Sequence, residues 1–299
     1  MWQTLENRLM NTTDVTVIGL GPMGLALADV LLKARRSVTL WNRSRDKATA
    51  LVARGAVLAA SPAEAIAASG VTLVCVLDYT AADAILAQDG VAAAVRGRLV
   101  VNLGTGSPED ARRVEAWAHA HGARYLDGAI QAAPSQMGRP DTPLFVSGEL
   151  SAFTQAEPLL RTVAGHLLHL GETVDAAAFM DLATLSYVYG GYAGFLHGAN
   201  IAEVTGIDVA TYGRLVHAIA PSFGAFFEHQ GGVIAGGDFH ATESPLRISV
   251  PAVRRILDTS RGLGINTELP ALVDGWLANA SARGLEGEEL AALIKVLRR

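Results

Sequence analysis

Gly19, Gly21 and Gly24 stand in the spacing GxGxxG, directly after the β-branched run VTVI and at the opening of the apolar stretch LALADVLL. A glycine set of that kind between a strand and a helix binds a dinucleotide pyrophosphate. The first glycine permits the tight turn, the second lets the backbone approach the anion, and the third packs helix on strand. The free N–H groups at the helix start supply donors and a positive dipole end. The whole turn Gly19, Leu20, Gly21, Pro22, Met23 and Gly24 is therefore expected at the cofactor. About 20 residues on, where an NAD-binding chain carries Asp or Glu for the ribose hydroxyls, this sequence has Asn42, followed by Arg43, Ser44 and Lys47. No carboxylate repels a 2′-phosphate there, and two cations with a hydroxyl are placed to bind one. The expected cofactor is NADPH/NADP+.

Further along, VVNLGTGSP puts Asn102 and Thr105 just past a strand, at the sheet edge where ligands bind in doubly wound folds. Asn102 is a candidate to orient the nicotinamide ribose or the substrate. The only cysteine, Cys75, lies in the apolar run VTLVCVLD, so an internal disulfide and a cysteine-based zinc cluster are both excluded and the thiol is expected to be buried. No metal site is expected.

These groups need a scaffold. Short β-branched runs (VTVIGL, SVTLWN, VTLVCVL, RLVVNLG, RYLDGAI, LFVSGE and HLLHLG) alternate with Ala-rich helical stretches as far as about Gly171. That alternation implies βαβ units and a mostly parallel sheet. Beyond it the β signal ends, and Gly and Pro punctuate what read as helices. The expected organisation is α/β: a lead-in over 1–14, a Rossmann-type doubly wound domain over 15–172, then a long interdomain helix and an all-α domain over 173–299. The long helix, from about Asp175 to Glu203, is apolar nearly all round and carries Gly190, Gly191, Gly194 and Gly198, which leave room for another backbone. At 1.5 Å per residue it would run about 40 Å. A helix apolar on every side needs cover on several faces, more than one small α-helical domain supplies, so a second subunit is expected.

The net charge of −5 and a pI near 5.9 give no basic excess for nucleic acid or an anionic membrane. No apolar run reaches the roughly 18–20 residues of a bilayer span. MWQTLENRLMNTTD has no basic region followed by an apolar core, so it does not read as a signal peptide. The expected ligand is a small molecule and the expected location cytoplasmic.

GLGPMG, WNRS with a lysine three residues on, VNLGTGSP, LDGAIQAAPSQMG, FVSGE and the helix DLATLSYVYGGYAGFLHG together resemble the NADPH-dependent imine reductases, relatives of the β-hydroxyacid dehydrogenases. The resemblance implies hydride transfer to a C=N bond, with cyclic imines as substrates, to give an amine, and leaves open whether a free amine and ketone are coupled reductively. It also implies a homodimer with active sites shared between subunits. The hydroxyacid-oxidising relatives use a lysine near the start of the long helix. Here lysine occurs only at Lys33, Lys47 and Lys295, and Asp181 stands in the matching place. The resemblance also implies a catalytic Tyr189. Geometry alone leaves that choice open: at about 100° per residue Tyr192 falls within about 20° of Asp181, and Tyr189 about 80° away. Asp181 sits among Phe179, Met180, Leu182 and Leu185, where burial raises a carboxyl pKa. Protonated it would donate to nitrogen; ionised it would stabilise an iminium. The Ala-rich loop LDGAIQAAPSQMG leaves few fixed cations for a substrate carboxylate, with Arg139 near, and His217, Phe223, Phe226 and Phe227 are candidate walls of a substrate pocket. A β-hydroxyacid or semialdehyde dehydrogenase-like activity, and NADP binding without turnover, are the alternatives.

Overall fold

The computed structural model describes residues 13–298; the expected lead-in, apart from Thr13 and Asp14, lies outside them, as does Arg299. Eight strands form one sheet in the order β3-β2-β1-β4-β5-β6-β7-β8. They are β1 Val15–Ile18, β2 Val38–Trp41, β3 Val57–Leu58, β4 Val71–Val74, β5 Leu99–Asn102, β6 Arg124–Ile130, β7 Pro143–Ser147 and β8 His166–His169. All neighbours run parallel except β6 and β7, which pair antiparallel with Asp127 opposite Ser147. The seven runs read as strands are all present. The two-residue β3 is an addition too short to carry a period.

The helices of the first region follow from the same local rules as the strands. Among the described residues it contains α1 Pro22–Lys33, α2 Thr49–Val52, α3 Pro62–Ala67, α4 Tyr79–Leu86, α5 Val91–Ala94, α6 Pro108–Ala120 and α7 Leu150–Val163, with 3-10 turns at Arg45–Ala48 and Pro134–Gln136. Side chains cap several of their starts: Ser61 on α3, Asp78 on α4, and Ser107 on α6, where Asp110 closes a capping box. Because helices cover both faces, the central strands are buried throughout and need no alternation. Leu27, Leu31, Val101, Leu126 and Leu160 fill one side, and Ile18, Ile66, Val74, Val114 and Tyr125 the other.

The remaining helices are α8 Ala176–Val204, α9 Val209–Gly236, α10 Leu246–Leu263, α11 Glu268–Ala282 and the short α12 Ile294–Leu297. The chain divides into two compact units between Leu185 and Ser186, inside α8. The first turns of α8 are bound into the sheet unit. Ser147 Oγ on β7 donates to the Val174 carbonyl at 2.6 Å and accepts from Ala177 N–H at 2.9 Å, and Arg112 on α6 pairs with Asp175. The second unit has a small core around Phe239, Leu246, Leu277 and Ala292. It is pinned by Glu289, which accepts from Gln230 Nε2 and from the N–H groups of Thr242, Glu243 and Ser244 at 2.9–3.2 Å. Burial pushes the Glu289 carboxyl up, but these donors outweigh it and hold it below the usual range.

Candidate active site

At the carboxyl ends of β1, β4 and β5 a cleft of about 420 Å³ is lined by Gly19–Met23, Asn42, Cys75, Val76, Leu77, Leu103, Gly104, Thr105, Ala129, Ile130 and Asp181. Each glycine of the turn has a separate physical reason. Gly19 has φ +93°, and a Cβ on it would fall 2.3 Å from the Cys75 carbonyl oxygen. A Cβ on Gly24 would fall 1.9 Å from the Gly19 oxygen, whereas one on Gly21 meets nothing within 4 Å. The backbone at Gly21 is thus open toward the cleft, and α1 begins there without a side-chain cap. An uncapped helix start beside an open glycine is what a pyrophosphate requires, so these residues fit the expected cofactor.

Asn42 ties the turn to the end of β2: its Oδ1 accepts from Leu20 N–H at 2.9 Å and its Nδ2 donates to the Ser44 carbonyl at 2.8 Å. Arg43, Ser44 and Lys47 are exposed just beyond. Arg45 is turned away from that cluster, donating to the Ala59 carbonyl at 2.9 Å. Cys75 continues β4, its N–H bonded to the Ile18 carbonyl at 2.8 Å, and burial pushes its thiol up to about 12, too high to act as a nucleophile.

Asn102 and Thr105 part company. Thr105 is exposed and lines the cleft, paired with Asp78 through an isolated bridge. Asn102, expected at the cleft edge, is 2% exposed, and its side chain points into the packed space beside Tyr125. Its Oδ1 accepts from Gly104 N–H at 3.3 Å, so it shapes the cleft floor from beneath. Behind that floor lies a cluster the sequence reading missed. Asp127 on β6 accepts from the Tyr79 hydroxyl, which stands 3.1 Å from that of Tyr125, and burial pushes the Asp127 carboxyl up to about 7 against the tyrosines' hydrogen bonds, with Asp181 adding to the rise. The visible signal was an acid inside an apolar strand, RYLDGAI.

Asp181 is 7% exposed and reaches the cleft from α8. Burial holds its carboxyl above the ordinary range, opposed by a hydrogen bond from Gln131. Gln131 is a second residue missed: it follows β6 directly, as a polar side chain among Ala129, Ile130 and Ala132. Arg139 donates to the Ser135 carbonyl at 3.2 Å and is not part of the cleft lining.

Tyr189, two turns beyond Asp181 on α8, belongs to the second unit and is 68% exposed. It lines an apolar groove of about 810 Å³ with Tyr187, Tyr192, Phe223 and Phe227. His217 and Phe226 are outside that lining. Among the described residues no group of three or more His, Cys, Asp or Glu is placed to hold a metal ion.

Residues 14–171 match the family model for the NAD binding domain of 6-phosphogluconate dehydrogenase, and residues 174–299 that for the C-terminal domain of NADPH-dependent reductive aminase-like proteins. The NADPH-dependent reductive aminase of Aspergillus oryzae is 30% identical over 289 residues, covering 94% of this chain and 96% of that protein. The chain belongs to the imine reductase and reductive aminase family. Among solved members, an imine reductase from Myxococcus stipitatus in complex with NADP+ matches with TM-score 0.87 and 30% identity, over 95% of this chain and 100% of that one. A reductive aminase from Aspergillus terreus in complex with NADPH4, cyclohexanone and allyl amine matches with TM-score 0.85 and 32% identity, over 96% and 100%. As a member, the chain is an NADPH-dependent oxidoreductase acting on C=N bonds, with a Rossmann-type domain and an α-helical C-terminal region.

Proposed function

We propose that the cleft reduces imines to amines with Asp181 as the proton donor. The observation that carries this reading is a buried carboxyl, raised by desolvation, at the mouth of the nucleotide cleft on a helix with no lysine. A hydroxyacid dehydrogenase needs a group that loses and regains a proton on an alcohol oxygen. A carboxyl whose burial favours its protonated form instead suits delivery to nitrogen.

The backbone at Gly21 and the start of α1 hold the pyrophosphate, while Arg43, Ser44 and Lys47 bind the 2′-phosphate and Asn42 braces the turn between them. Thr105 contacts the cofactor at the cleft edge, and Asn102 fixes the loop that carries it. NADPH supplies the hydride, which goes to the carbon of the C=N bond; the Asp181 proton goes to its nitrogen. Tyr189 orients the substrate in a site completed by a second subunit. The exposed aromatic groove and the open space over Gly190, Gly191 and Gly194 support a homodimer. With few cations beside the cleft, the substrate class is a neutral ketone-derived or cyclic imine, formed in place where carbonyl and amine are both supplied. Among the described residues no helix is long and apolar enough to cross a membrane, and the single buried thiol suits a reducing cytoplasm.

NADPH oxidation with a five- or six-membered cyclic imine, wild type against Asp181→Ala, tests the reading. No turnover over a broad imine panel, or undiminished turnover by the variant, overturns it.

A further inference from the structure

The side chain bonded to the Asp181 carboxyl is Gln131, and its role follows from counting protons. Gln131 is held by its own backbone, N–H to the Pro143 carbonyl at 3.1 Å. Its Nε2 donates to Asp181 Oδ1, and its Oε1 stands 3.1 Å from Thr184 Oγ1, one turn along α8. Thr184 Oγ1 also lies 3.0 Å from the Met180 carbonyl and 2.9 Å from that of Asp181. Three acceptors therefore face a hydroxyl that has one proton to give.

Turning the amide by 180° about its last torsion, which has a broad two-fold profile, gives a second arrangement of the same three side chains. Gln131 Nε2 then donates to Thr184 Oγ1, the threonine proton goes to a helix carbonyl, and Oε1 faces Asp181. That oxygen bonds Asp181 only when the carboxyl carries a proton. The arrangement in the structure serves a carboxylate and also an acid protonated on its other oxygen, whereas the turned one ties the acid's only proton to Oε1, away from a substrate.

We propose that Gln131 is a positioning residue for Asp181: an amide, steered by Thr184, whose Nε2 bonds the facing carboxyl oxygen both before and after transfer and so leaves the other oxygen to carry the proton to nitrogen. The inference rests on the reading of Asp181 as proton donor. In the step, the Asp181 O–H bond breaks and an N–H bond forms, while the hydride pair makes the new C–H bond. The amide keeps its N–H on the carboxylate left behind and keeps both of its own protons. Without it a buried carboxylate would lose the hydrogen bond that offsets its desolvation, and the transfer would become harder.

Other titratable groups face Asp181. Asp127 on β6 interacts with it electrostatically and is itself bonded by Tyr79 from α4 and near Tyr125 on the same strand. Cys75, past β4, lines the same cleft, and Asp175 at the head of α8 is paired with Arg112 from α6. None of these is altered by changing residue 131, so a shift seen there reports on the amide.

Infrared difference spectra of the protein without cofactor follow the protonated Asp181 carbonyl stretch against pH, the band being assigned by its loss in Asp181→Asn. In Gln131→Met the midpoint is expected to rise by about one pH unit. The alkaline limb of kcat/KM should move up with it, and kcat should fall on the order of tenfold with KM little changed. Thr184→Val should give a smaller shift in the same direction, and Thr184→Ser should restore the wild-type profile. If Gln131→Met does not fold, the two threonine variants carry the test. Wild-type midpoints in Gln131→Met and Thr184→Val, with Asp181→Asn inactive, overturn this inference alone. Full turnover by Asp181→Asn overturns the donor reading beneath it.

Discussion

Among the described residues up to Leu185 the sheet is covered: helices on both of its faces bury Leu27, Leu40, Val101 and Leu126 completely, and the exposed apolar side chains, such as Leu77 and Leu150, line no aromatic groove. From Ser186 onward they do. Tyr187, Tyr189 and Tyr192 on α8 and Phe223 and Phe227 on α9 are each about half exposed or more, around one groove. Contiguous exposed aromatics of this extent mark an interaction surface. In the same helix Gly190, Gly191 and Gly194 face open space, and of the four glycines only Gly198 is met from within the chain, by the Tyr212 ring. The sheet unit thus carries the cofactor cleft, and the helical unit an exposed aromatic groove. The two units fail in different ways when altered.

The largest effect is expected in the first unit. Removing a general acid costs about 10²- to 10⁴-fold, so Asp181→Ala should lower kcat by that order while cofactor binding, followed by NADPH fluorescence, stays near wild type. A loss of NADPH affinity comparable to the loss of kcat would instead make Asp181 part of the cofactor site. The matching change in the second unit is Phe223→Glu, which puts a charge into the aromatic groove. Dimer affinity should fall by at least about 100-fold, since a buried unpaired charge costs several kcal/mol, and sedimentation should show monomer at micromolar concentration. Leu150→Glu, at a similarly exposed but isolated leucine on α7, should leave sedimentation unchanged. If both variants sediment like wild type, the groove is not the interface.

The same contrast explains what the sequence made legible. The glycine turn and the cluster after β2 are local, so spacing alone placed them, and β-branched runs marked seven of the eight strands. The direction of β7 was not legible. Its connection from β6 spans residues 131–142 with only a 3-10 turn and no crossover helix, and a return of that kind gives an antiparallel pair. Asn102 was read at a strand end and therefore at the ligand edge. Which way a strand-end side chain points depends on the pleat and on the loop after it, and here that loop turns the amide inward to bond Gly104. Gln131 and Thr184 are 53 residues apart. No spacing rule relates them, so their pairing with Asp181 appears only once the strand and the helix are packed.

A smaller effect should come from the buried acid under the cleft. Asp127 is raised from 3.8 to about 7, first by burial, so the folded state binds its proton more tightly than the unfolded chain does. The stability this adds is complete below about pH 4 and is lost as pH rises through 7. Between pH 5 and pH 8 the loss should be on the order of 2 kcal/mol. Asp127→Asn keeps an oxygen to accept from Tyr79 and has nothing to titrate, so its urea midpoint should change less over that interval. An equal change in variant and wild type would show that Asp127 is ionised throughout. The helical unit should run the other way at low pH. Glu289 is depressed, and its contribution is present above its unfolded pKa and lost as pH falls. Acid should therefore loosen the second unit before the first.

The smallest effect belongs to the exposed cations after β2. Arg43 and Lys47 lie in water, where a charge contact is screened and worth little by itself. Yet a 2′-phosphate carries close to two charges into the cluster, and no carboxylate in the sequence Asn42-Arg43-Ser44 opposes it. Arg43→Ala is expected to raise the NADPH Michaelis constant about five- to tenfold, leave that for NADH within about twofold, and leave kcat unchanged with either. The NADPH effect should shrink as salt rises from 50 to 500 mM, because screening acts on exposed charges before buried ones. An equal rise for NADH would mean that Arg43 grips the part of the dinucleotide common to both, and the preference would then rest on Ser44, Lys47 and the missing acid alone.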